Sequence, residues 1–74
     1  MIAAQQARQV ADAIAALPER QREAIVLVHY QDLSGAEAAQ VLDISVDALE
    51  SLLARGRRTL RAQLGPWWKG DAHD

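Results

Sequence analysis

The sequence predicts an all-α domain of four helices, without a wing, whose last two helices form a C-terminal helix-turn-helix. Three observations carry that prediction. Half of the 74 residues are hydrophobic, yet fifteen of those are Ala, Phe is absent and aromatics make up 4%, a composition suited to closely packed helices. The larger apolar residues recur at helical rather than strand spacing. Breakers are few, 4 Gly and 2 Pro, and they sit mostly at the ends of periodic stretches, which disfavours a sheet of short turn-linked strands, a collagen-like chain and a disordered one. A chain of this length buries only about 60% of the surface its unfolded form exposes. With no Cys, it has neither disulfides nor thiolate metal sites to staple it, so packing must hold it.

The first helix is expected from Ala3 to Leu17, where Val10, Ile14 and Leu17 form one stripe that Ala3 and Ala7 continue. Pro18 ends or bends it, because the residue before a proline is pushed out of the α region. Pro18 also suits the first turn of the next helix, beginning at Glu19, whose carboxylate favours the positive end of the helix dipole. That second helix runs to about Tyr30. Ile25, Val28 and Ala24 lie on one side of its wheel and Val26, Leu27 and Tyr30 on the other, so it reads as a buried hub. After Gln31-Asp32-Leu33, Ser34 and Glu37 form a capping box that starts the third helix. Its inner face is Gly35, Ala38, Ala39 and Leu42. Asp43-Ile44-Ser45 is the turn: Asp tolerates the left-handed conformation, Ile44 plugs the corner and Ser45 caps the fourth helix. An eight-residue helix, a three-residue turn and a longer helix make the helix-turn-helix.

The fourth helix, Val46 to Leu64, has the clearest stripe. Leu49, Leu53, Gly56, Leu60 and Leu64 lie within about 60 degrees of one line at 3.6 residues per turn, flanked by Leu52. The opposite face holds Asp47, Ser51, Ala54, Arg55, Arg58 and Ala62, with Glu50, Arg57 and Arg61 on one shoulder. Gly65 is expected as a left-handed cap and Pro66 as the stop. The domain is expected over 1–66, and 67–74 form a C-terminal tail that opens with Trp67-Trp68. Those tryptophans either anchor a partner or fold back on the domain, and the polar residues after them read as disordered.

Catalysis finds no footing. His29 lies in the apolar second helix and His73 in the tail, there is no Cys, and no Gly-rich phosphate loop occurs. No nucleophile-base pair or metal cluster has recognisable spacing, so no catalytic residue, metal ligand or cofactor is expected and the chain reads as a non-enzyme. His29 is either a packed or surface helix residue or a partner contact. Asp47 and Glu50, one turn apart at a helix start, serve the helix dipole rather than acid-base chemistry. No stretch approaches the ~18 apolar residues of a membrane span, and polar residues interrupt any signal-peptide core between Met1 and Leu17, so the chain reads as cytoplasmic, with no membrane partner and no small-molecule substrate.

The net charge of −2 argues against nucleic acid until it is divided by segment. Residues 32–50 hold Asp32, Glu37, Asp43, Asp47 and Glu50, a total of −5, and residues 51–64 hold Arg55, Arg57, Arg58 and Arg61, a total of +4. All four arginines fall on the fourth helix. They are either a solvated face that complements the dipole or a phosphate-contacting surface on the helix that a helix-turn-helix lays in the major groove.

The run Leu17-Pro18-Glu19-Arg20-Gln21-Arg22-Glu23-Ala24, then Leu33-Ser34, Glu37-Ala38-Ala39, Leu42, Ile44-Ser45-Val46 and Glu50-Ser51-Leu52-Leu53-Ala54-Arg55-Gly56-Arg57-Arg58, resembles region 4 of bacterial sigma factors. It most resembles the extracytoplasmic-function group, over about residues 15–64. The helix-turn-helix alone is shared with response-regulator output domains; the opening "LPERQREA" and closing "LARGRRTL" favour the sigma reading. The resemblance implies sequence-specific binding to the minus thirty-five promoter element during transcription initiation, docking on the β-subunit flap of RNA polymerase, and regulation by an anti-sigma protein. It implies that Ser51 and Arg55 face DNA, joined by Asp47, Ala48 and Glu50, with Ala54 on the same face and Arg58 reaching phosphate. The commonest family form has Thr, a basic residue, Ser and Arg where this chain has Ala48, Glu50, Ser51 and Leu52. Two positive charges are thus replaced by one negative and one apolar side chain, which weakens non-specific binding and flattens its salt dependence. Glu50 can still accept from cytosine N4. The alternative is a sigma-like protein-interaction domain that sequesters an anti-sigma factor, a role that the acidic balance, Glu50 and Leu52 also suit.

Overall fold

The computed structural model describes residues 2–68, with side chains from residue 4. The polar segment after Trp68, His73 included, lies outside the described residues. In chain order the elements are α1, Ile2–Ala15; α2, Glu19–Ile25; a π-helical turn, Val26–Tyr30; α3, Gly35–Leu42; and α4, Val46–Leu64. The all-α, four-helix reading is correct, and no strand occurs among the described residues.

The first junction differs in detail from the expected one. α1 stops at Ala15, two residues early, because the Leu17 N–H donates to the Ile14 carbonyl (3.0 Å) in a tightened turn that releases Leu17 from α geometry before Pro18. Pro18 stands outside α2 as its N-cap, extended at φ −54° and ψ 148°. Its carbonyl takes the first helical bond, from the Arg22 N–H at 2.9 Å. Leu17 itself is buried.

The second helix departs further. Regular α geometry ends at Ile25, and the Gln31 N–H donates to the Val26 carbonyl, five residues back, at 3.0 Å. The wider turn changes the phase of every residue after Ile25, so the wheel drawn for a regular helix no longer applies. Ala24 and Ile25 are fully buried, whereas Val26, Leu27, Val28 and His29 are half-buried and Tyr30 is 54% exposed. The hub is therefore not α2 alone: α1, α2 and α3 each pack against α4.

α4 earns that position through its stripe, since Leu49, Leu53, Gly56 and Leu60 are all buried as expected. At Gly56 the absent side chain matters. A Cβ there would lie 3.0 Å from Cγ1 and 3.3 Å from Cδ1 of Ile25, so glycine sets how closely α4 approaches α2. Ala38 and Ala39 play the same part on α3, both buried with Leu42.

The α3–α4 corner follows the local chemistry closely. The Ser34–Glu37 capping box is complete, with the Glu37 N–H donating to Ser34 Oγ (3.1 Å) and the Ser34 N–H donating to Glu37 Oε1 (2.8 Å). Asp43 is left-handed at φ 58° and ψ 48°. The Ile44 N–H donates to Ala39 (3.0 Å) and the Asp43 N–H to Gln40 (3.1 Å), the paired bonds that satisfy a helix C-terminus. The Ala48 N–H then donates to Ser45 Oγ (3.0 Å), capping α4. Arg20 locks the corner from outside: its Nη1 donates to the Leu42 carbonyl (3.0 Å), placing a cation at the negative end of α3.

Candidate nucleic-acid interface

With α4's apolar stripe turned inward, its outer surface is fixed by helical geometry. Asp47, Ala48, Glu50, Ser51, Ala54, Arg55 and Arg58 are all exposed. The Ser45 cap holds the first turn of this surface, and α3 crosses beside it. Leu52 is half-buried and packs against the core, so the apolar replacement at this position is taken up by packing.

The basic block proves smaller than its sum. Arg57 is half-buried, and its Nε donates to His29 Nε2 at 3.1 Å, tying α4 to the π-helical turn. Arg61 is exposed but engaged elsewhere. Arg55 and Arg58 remain as the two cations of the predicted face. The sequence hinted at this difference only by putting Arg57 on a shoulder; finding its partner requires the second helix to be folded against the fourth.

Glu50 is exposed, yet its carboxylate lies back over the start of α3. A Cβ on Gly35 would sit 3.4 Å from Glu50 Oε2. The first turn of α3 is the positive end of its dipole, so this position favours a carboxylate. Gly35, assigned from sequence to the inner face, thus also leaves room for an acidic side chain from α4.

A second surface is distinct from α4. An apolar groove runs between α1 and the end of the second helical segment, lined by Ala7, Val10, Ile14, Val26, Tyr30 and Trp68 among others, with Arg22 at its edge. None of its lining residues belongs to α4. Trp68 is buried against the core and meets His29 edge-on, with ring centroids 6.4 Å apart at 63°. Of the two sequence readings, the structure supports folding back for Trp68; Trp67 is half-buried beside it. Among the described residues no group of three or more His, Asp or Glu is arranged to hold a metal ion, and no helix is long and apolar enough to cross a membrane.

Comparison with known proteins places this geometry in context. Residues 7–60 match the family model described as Sigma-70, region 4. Over 58 residues the chain is 38% identical to the RNA polymerase sigma factor FliA of Pseudomonas aeruginosa, a match covering 78% of this chain and 24% of that protein. The chain therefore spans about a quarter of the length of that relative. No solved structure matches the chain significantly.

Proposed function

Because the chain belongs to the sigma-70 region 4 family, we propose that it is the promoter-recognition module of an alternative sigma factor, binding the minus thirty-five element through the outer face of α4. The observation that carries this reading is that Asp47, Ala48, Glu50, Ser51, Ala54, Arg55 and Arg58 are exposed together on the second helix of a helix-turn-helix. In that arrangement the second helix enters the major groove and the first crosses the backbone. Ser51 and Arg55 contact base edges, and Arg58 neutralises phosphate further along. The extracytoplasmic-function group is our assignment within the family, resting on the "LPERQREA" and "LARGRRTL" runs. We assign the RNA polymerase β flap to the apolar groove between α1 and the π-helical turn, because that face leaves α4 clear for DNA. An anti-sigma protein is a further partner, and the setting is cytoplasmic.

Arg55 and Arg58 favour this reading over a domain that only sequesters an anti-sigma factor, because such a domain has no need of cations turned outward on its recognition helix. The test is a titration of the chain with duplex DNA at 50–200 mM salt. Arg55→Ala is expected to weaken promoter binding and relax its base preference, whereas Arg58→Ala is expected to weaken binding to every duplex and to reduce the slope of log affinity against log salt by about 0.9, the contribution of one phosphate contact. Glu50→Lys is expected to strengthen binding to every duplex. If the chain binds no duplex DNA at low salt, the reading fails.

A further inference from the structure

We infer that Arg57 is a positioning residue and not a phosphate contact, and that its bond to His29 sets the rotation at which α4 meets DNA. The inference rests on the DNA-binding reading above and concerns a pair of residues that this reading leaves unused.

Arg57 sits one turn beyond Leu53 and next to the buried Gly56, so its stem leaves α4 at the boundary between the packed stripe and the outer face. Its Nε donates to His29 Nε2. An N–H can be accepted only by an unprotonated ring nitrogen, so in this contact the imidazole is neutral and its proton is on Nδ1. A neutral acceptor leaves the guanidinium charge in place but spends one of its donors within the protein, in a half-buried position.

The contact joins two segments distant in the chain, and a ring contact adds a third residue to it. His29 belongs to the π-helical turn, Arg57 to α4, and Trp68, from beyond α4, meets the His29 ring edge-on with centroids 6.4 Å apart. The π-helical turn matters here because it changes the phase of residue 29 relative to a regular helix. Insertions of this kind are commonly kept where they serve a function. Leu49, Leu53 and Leu60 seat α4 in the core, but between them, at Gly56, the helix rests on α2 through a glycine, and at that level no side chain of α4 resists rolling about its axis. A directional bond from the next residue supplies that resistance. Rolling α4 by a fraction of a turn would carry Ser51 and Arg55 off the bases while leaving the total charge of the face unchanged.

The experiment first selects the chain's preferred duplex from a randomised pool. Affinity is then measured on that duplex and on a scrambled one, from 50 to 200 mM salt, for wild type, His29→Ala, His29→Gln, Arg57→Met and the double variant His29→Ala/Arg57→Met. Helical circular dichroism at the assay temperature confirms that each is folded. His29→Ala removes no charge from the DNA face. It is expected to lower the ratio of preferred to scrambled affinity about tenfold, the scale of one base pair's discrimination, without changing the salt slope. His29→Gln, whose carbonyl can accept the same bond, retains the ratio. Arg57→Met keeps the apolar stem and reproduces His29→Ala, and the double variant is no worse than either.

The inference is overturned if Arg57→Met lowers affinity for both duplexes equally and reduces the salt slope by about 0.9, the signature of a phosphate contact. It is also overturned if His29→Ala lowers the melting temperature but leaves the ratio intact, the signature of a purely structural bond. Should His29→Ala prove unfolded, the comparison of Arg57→Met with wild type decides by the same two readouts. A wild-type chain that binds neither duplex instead overturns the DNA-binding reading itself.

Discussion

Single side chains at the α3–α4 corner do work that their types announce. Ser45 accepts the Ala48 N–H and so starts α4 at Val46. Asp43 adopts the left-handed conformation that its short polar side chain tolerates better than most. Both were legible without a structure because capping is local chemistry. Ser45→Ala is expected to cost about 1 kcal/mol of stability, read as a shift in the urea midpoint with unchanged slope, because the Ala48 N–H loses its acceptor. The arginines behave differently. Their types declare charge, but whether that charge faces outward depends on what lies opposite. Arg20 serves the α3 C-terminus and Arg57 serves His29, while Arg55 and Arg58 stay on the surface. Glu50, a candidate base reader, has its carboxylate over Gly35 instead of extended from the helix. Asp32, with φ 58°, is a left-handed residue that the connection Gln31-Asp32-Leu33 did not reveal, although Asp is a residue type that tolerates it.

At the scale of elements, the packing of α4 on α2 is the decisive contact, and Gly56 controls it. In an exposed helix Gly→Ala gains up to ~1 kcal/mol of helix propensity. At Gly56 the added methyl would press on Ile25, which is fully buried and has little freedom to yield. Overpacking of this kind costs about 1–3 kcal/mol. Gly56→Ala is therefore expected to destabilise the domain by about 1 kcal/mol net, lowering the melting temperature by roughly 4–8 °C for a chain of this size. A melting temperature above wild type would show that Ile25 can move aside. The second helix shows where periodicity stops being informative. Its apolar residues surround the axis, so no stripe fixes a phase, and the segment after Ile25 widens into a π-helical turn that the periodicity does not signal. The "LPERQREA" run, by contrast, has a plain mechanical reading: Leu17 is buried, Pro18 caps, Arg20 and Arg22 bond the Leu42 and Leu17 carbonyls, and Ala24 is buried.

At the scale of the whole molecule, whose described residues extend 39 × 21 × 17 Å, the outer face of α4 and the apolar groove are built from different elements, so the proposed DNA and protein partners would not compete for one surface. Tyr30 lines the groove and is largely exposed. Tyr30→Glu is expected to abolish capture of a polymerase β-flap fragment while leaving affinity for duplex DNA within about twofold, because a buried carboxylate is costly in an apolar contact and Tyr30 lies outside α4. Equal loss of both activities would mean that the two surfaces are not separable. What the sequence alone determined is the four-helix class, the helix-turn-helix and the identity of α4's outer face, since caps, breakers and a 3.6-residue stripe act within a few residues of one another. Only the tertiary structure decided which cations remain on the outer face of α4, where Glu50 lies, that the second helix widens and that Trp68 seals the core. Each of those depends on groups distant in sequence meeting in space, and no local pattern carries that information.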